Sequence, residues 1–135
     1  EAIRKLGPTG FPFEKFIGEI FKELGYQVKL NQIVKGKCAK YEIDFIAEAE
    51  RKIFVGECKF HHIAGERVDL KVALANYARF LDILNADYFS QRIKSEKEIK
   101  SILVTNTKLT SQAIKYSRCV GVDLIGWRYP SNQGL

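Results

Sequence analysis

The apolar positions of the chain fall into two spacings, and the changes between them mark its elements. From Phe13 to Gly25 they recur at the steps of one helix face: Phe13, Phe16, Ile17, Ile20, Phe21 and Leu24. Thr9 or the Gly10–Pro12 turn can open this helix. Gly25 can close it, because glycine enters the left-handed conformation of a helix end without strain. The spacing then becomes alternation, and Tyr26, Val28 and Leu30 mark a strand over 26–34. Lys35-Gly36-Lys37 is a turn whose loop can extend to Lys40. Residues 41–48 alternate throughout, with Tyr41, Ile43, Phe45 and Ala47 assigned to one face and Glu42, Asp44, Ile46 and Glu48 to the other. After a polar turn at 50–52, the run IFVGECKF over 53–60 has large apolar residues on both parities, as in a strand covered on both faces. Three strands joined by short turns predict an antiparallel meander.

Beyond Gly65, residues 68 to about 88 read as a long helix with Leu70, Leu74, Tyr77, Leu81 and Leu84 as its core stripe. Residues 90–100 are a polar connection, SILVT at 101–105 a strand, 110–119 a helix and 122–127 a last strand. The order helix, three strands, helix, strand, helix, strand predicts an α/β sandwich around a mixed central sheet. Its closing β-α-β unit should be parallel, with a right-handed crossover. Glu1–Gly10 reads as the tail of a linker from an upstream domain, given its glycines and proline and a chain without methionine. That leaves 11–130 as one domain and 131–135 as a tail.

Composition narrows the partners. A hydrophobic fraction of 46% over 135 residues suffices for one real core and argues against disorder. No apolar run reaches the roughly 18 residues of a membrane span, and no signal-peptide pattern opens the chain. Cys38, Cys58 and Cys119 are odd in number and widely spaced, which fits a reducing cytoplasm better than secretion. His61 and His62 are adjacent, so on a strand they point apart and cannot share a zinc ion. A net charge of +6 and a pI near 9.2 favour a polyanionic partner, nucleic acid foremost.

One constellation carries chemistry. Glu57 and Lys59 are two apart on a strand and share a face. With the hairpin turn at 50–52, Asp44 on the preceding strand falls roughly opposite position 58, and one register step brings it beside Glu57 or Lys59. Charges inside so apolar a strand are costly unless paired or bound to a cation. Two carboxylates suit Mg²⁺, with Mn²⁺ as a substitute, and the Cys58 backbone carbonyl can be a third ligand. Lys59 would then orient or deprotonate the nucleophile, or stabilise the charged phosphorane. A cross-strand salt bridge on a solvated face is the plainer alternative.

The pattern EIDFIA, a short gap and FVGECKF, behind the opening helix FEKFIGEIFKELGY and before the closing SILVTNTKLTSQAIKY and GVDLIGW, resembles the PD-(D/E)xK restriction-endonuclease-like superfamily. It looks closest to the Mrr-type branch, in which such a domain can follow an ATP-cone module. Ile43 stands where that motif often has proline. The resemblance implies a restriction-endonuclease-like α/β/α sandwich and a metal-dependent DNA endonuclease of a restriction or repair system, with Asp44, Glu57 and Lys59 catalytic. It adds an acidic residue on the first helix, matched by Glu14, whereas Glu19 and Glu23 read as solvated. Lys35, Lys37, Lys71 and His61 are candidate DNA contacts. A homodimer is expected, since cutting both strands usually takes two sites, and Trp127 and Tyr129 can contribute to its interface. The rival reading is a catalytically inactive nucleic-acid-binding module of the same fold.

Overall fold

The computed structural model describes residues 11–61, 63, 65–89, 96–126 and 129–130. The linker expected at 1–10, the tail at 131–135, His62 and Trp127 lie outside them.

Helix α1 (Phe11–Glu23) leads into an antiparallel meander of β1 (Gln27–Lys35), β2 (Lys40–Glu48) and β3 (Lys52–Lys59). A short strand β4 (Arg67–Val68) precedes helix α2 (Leu70–Leu84), then β5 (Glu98–Thr105), a second short strand β6 (Lys108–Leu109), helix α3 (Ser111–Val120) and β7 (Asp123–Ile125). The main sheet has the order β1-β2-β3-β5-β7 and is mixed, because β3, β5 and β7 run parallel. The expected α/β sandwich is therefore present, its last β-α-β unit parallel. Sequence spacing missed the pair β4–β6, since two-residue strands carry no periodicity.

One core lies beneath α1, where Phe13, Ile17 and Phe21 pack on Phe45, Ala47, Phe54, Ile102 and Val104. On the other face, Phe80 and Ile83 of α2 cover Val34, Ile43, Ile46, Ile53 and Val55. Alongside, Val72 and Tyr77 of α2 and Ile114 of α3 cover Val68, Leu103 and Leu124. Helix ends follow local chemistry. Asp69 and Thr110 cap α2 and α3 by accepting from the amides of Val72 and Ala113. Gly121 closes α3 at φ 86°.

Two expectations are corrected. The buried face of α2 is Ala73, Asn76, Phe80 and Ile83, while Leu74 and Leu81 are exposed. The helix carries two apolar stripes, and the one with a polar residue in it is the one that packs, because Asn76 donates to Ser101 Oγ at 3.0 Å. The second correction concerns β2. Tyr41 and Ile43 face α2, yet Phe45 and Ala47 face α1. In β1, Val34 likewise faces α2 while Leu30 and Val28 face α1. Both strands change phase between the pairs Leu30↔Phe45 and Gln32↔Ile43. Asn31 sits at that point with φ 51°, a left-handed conformation that breaks the pleat. Beyond it the distal half of the hairpin lies over α2.

Candidate active site

Asp44 lies at this phase change, directly across from Asn31 in the register of the two strands. On its other side the regular β2–β3 ladder ends at Phe45↔Gly56, so Asp44 is the first residue past it, opposite Glu57. Its Oδ2 accepts the Cys58 amide at 2.7 Å, a bond that fixes the carboxylate between the two strands. Gly56 makes this end of the ladder possible. A β-carbon there would clash with the Phe45 ring, which lies across the glycine.

Three acids from three elements meet at Asp44. Glu14, in the first turn of α1, approaches from one layer. Burial raises its pKa to about 8, helped by the Asp44 charge, a hydrogen bond with Asp44, and the charges of Glu57 and Glu42. Glu57 is raised to about 7, first by burial and then by the charge of Asp44. Arg79 and Lys59 oppose that rise. The pattern is that of carboxylates crowded in a half-buried site, and Glu14 and Glu57 hold their protons well above the ordinary carboxylate range. Burial, followed by the same three acids, pushes the Cys58 thiol far up, so it stays neutral. Its backbone, rather than its sulfur, is what can serve the site.

Two cations flank Glu57. Lys59 Nζ is 3.5 Å from Oε2, and Arg79 Nη1, reaching from α2, is 3.7 Å from Oε1. Asp44, Glu57, Lys59 and Glu14 are thus brought together. Glu19 instead pairs with Lys22 in solvent, and Glu23 is exposed. Among the described residues no three His, Cys, Asp or Glu side chains form a ready-made metal cage. Any ion here would rest on two carboxylates, backbone and water.

The candidate DNA contacts do not form one patch. Lys35 and Lys37 are exposed on the β1–β2 turn. That turn is tied to the C-terminal half of α2 by Asp82, which accepts the Tyr41 hydroxyl at 2.7 Å and the amides of Cys38 and Ala39 at 2.9 and 3.1 Å. Lys71 is exposed in the first turn of α2, eleven residues before Asp82 or about 16 Å along the helix axis. His61 follows β3, and its backbone is held on both sides by the buried Asn106, at 2.8 and 2.6 Å. Its ring faces Glu66 at 3.1 Å, so His61 serves first as part of a loop clamp.

Sequence spacing missed Arg79, Asn106 and Asp82. Arg79 left one usable trace: a cation three residues after Asn76 and next to Phe80, on the flank of a helical core face. Asn106 and Asp82 act through backbone groups far along the chain, which no local pattern reports.

No protein-family profile matches the chain. An uncharacterized protein of Archaeoglobus fulgidus is 38% identical over 119 residues, covering 88% of this chain. The crystal structure of a protein of unknown function, AF1548, superposes with a TM-score of 0.79 at 35% identity, covering 93% of this chain. The chain spans 62% of the length of each of these relatives. No helix among the described residues is long and apolar enough to cross a membrane.

Proposed function

We propose that this domain is a metal-dependent DNA endonuclease of the PD-(D/E)xK kind, hydrolysing phosphodiester bonds in a restriction or repair system, in the cytoplasm. The observation that carries the reading is the meeting of Glu14, Asp44 and Glu57, with Lys59 beside Glu57, at a break in the sheet. The donor set is all oxygen and oversupplied with negative charge, which suits a hard divalent cation such as Mg²⁺ or Mn²⁺. Asp44 and Glu57 would hold it, with the Cys58 carbonyl as a further donor. When bound, the ion would act as a Lewis acid towards the phosphate. Lys59 supports charge growing on the attacked phosphate by hydrogen bonding from Nζ. Glu14, with a pKa of about 8 in the metal-free protein, is the carboxyl suited to exchange a proton with the attacking water. Lys71 on the first turn of α2, and Lys35 and Lys37 on the β1–β2 turn that Asp82 ties to the other end of that helix, would contact separate phosphates of one duplex. Double-strand cutting assigns two copies to the working unit. Tyr129 packs within its own subunit's core, so it is a weaker candidate for their interface.

A second reading, a DNA-binding module without turnover, is favoured by one observation: Glu57 already faces two cations. Supercoiled plasmid with Mg²⁺ or Mn²⁺ separates the two. Nuclease action predicts nicking that EDTA and Asp44→Ala abolish, while the DNA mobility shift of Asp44→Ala persists. A salt-dependent shift with no cleavage in either metal would overturn the nuclease reading and leave the second.

A further inference from the structure

Arg79 is out of place for a residue that only fills space. It enters the sheet-facing side of α2 among Ile43, Val55, Phe80 and Ile83, which line a small cavity with Glu57, Asn76 and Ser101. Its Nη1 is buried and makes no hydrogen bond. At 3.7 Å from Glu57 Oε1 the contact is too long for a hydrogen bond and holds by charge. The neighbouring polar group, Asn76, is already engaged by Ser101. A cation left with an unmet donor between apolar walls is costly, and a methionine or leucine would fill the same space. The charge must therefore act on the group it faces. Glu57 divides its two oxygens, Oε1 to Arg79 and Oε2 to Lys59.

We propose that Arg79 is a positioning residue for Glu57: it anchors Oε1 from the α2 layer and so presents Oε2 to Lys59 and the Asp44 cleft. Without that anchor Glu57, past the end of the regular β2–β3 ladder, keeps only Lys59 and its hydrogen bond with Asp44, and its carboxylate loses the restraint from the α2 layer. The consequence for metal rests on the nuclease reading. The anchoring itself does not.

Mn²⁺ binding measured by calorimetry without DNA has opposite signs for two roles. A positioning residue predicts that Arg79→Met weakens Mn²⁺ about tenfold and that Arg79→Lys recovers part of the loss. A simple counter-ion predicts the reverse, since removing a positive charge beside a dication tightens binding. Unchanged or tighter binding by Arg79→Met overturns the proposal. A second measurement needs no metal. In EDTA, urea unfolding of Arg79→Gln, Glu57→Gln and the double variant should be non-additive by about threefold or more in the unfolding constant, because each single change removes one charge of the pair. Arg79→Gln keeps a polar side chain at this site and so serves where Arg79→Met does not fold. Additivity overturns the anchoring whether or not metal binds. A wild-type protein that binds no Mn²⁺ defeats the nuclease reading alone, and the cycle in EDTA then decides Arg79.

Discussion

Replacing Glu14 by glutamine should stabilise the metal-free protein increasingly as pH rises from about 4.5 to about 8. Glu14 has its pKa raised from 4.5 to about 8 by burial and by Asp44. A group raised in the native state supports folding fully below its unfolded value and loses that support as pH rises through its native value. The contribution is therefore whole below about pH 4.5 and gone above about pH 8. Glutamine imitates the protonated acid, so the variant should match wild type at pH 4 and exceed it at pH 9. At about 1.36 kcal/mol per pH unit, the ceiling is about 5 kcal/mol. Glu14 is only partly buried, and screening reduces that figure to about 1–2 kcal/mol. For a domain of this length the gain is about 3–8 °C in thermal midpoint. Differential scanning calorimetry in EDTA at pH 4, 7 and 9 reads the effect directly. A Glu14→Gln variant melting at or below wild type at pH 9, while equal to it at pH 4, would show that Glu14 does not crowd Asp44. The acid triad, and with it the proposed site, would then be misassigned.

Other substitutions probe other parts. Lys59→Ala should lower plasmid cleavage by roughly two orders of magnitude while Mn²⁺ affinity holds or rises; cleavage at the wild-type rate would make Lys59 a mere counter-ion. Gly56→Ala drives a β-carbon against the Phe45 ring and should cost about 1–3 kcal/mol by overpacking, read as a lower urea midpoint. It should also lower cleavage, since Phe45 adjoins Asp44. Asp82→Ala should speed hydrogen exchange at the Cys38 and Ala39 amides. The Tyr41 hydroxyl and those two amides hold the Asp82 carboxyl below its ordinary 3.8. The wild-type advantage should therefore be present above pH 3.8 and vanish as pH falls through the lower native value, as followed by thermal midpoint against pH.

The sequence made the sandwich legible because most of its elements are long and cleanly periodic, but its turn at 50–52 set Asp44 opposite position 58, whereas the turn falls at 49–51 and the register sets Asp44 opposite Glu57. It misled where two signals of equal strength competed. α2 offers one face of leucines and another interrupted by Asn76, and hydrophobicity alone chooses the wrong one. The partner that settles the matter, Ser101, lies 25 residues away. The site shows the same limit more sharply. Strict alternation through 41–48 puts Asp44 on the face of Ile46 and opposite to that of Ile43. In the folded chain Ile43 and Ile46 share a face, because Asn31 turns left-handed and both strands change phase with it. A pleated strand shows each side chain to one layer only. A strand that changes phase at Asp44 can bring that residue to the α1 layer and the α2 layer together. Glu14 and Glu57, carried towards opposite layers, could not otherwise both reach one carboxylate. The irregularity that defeats the period-two reading is thus what assembles the acids, and a single asparagine with positive φ is too small a signal to announce it.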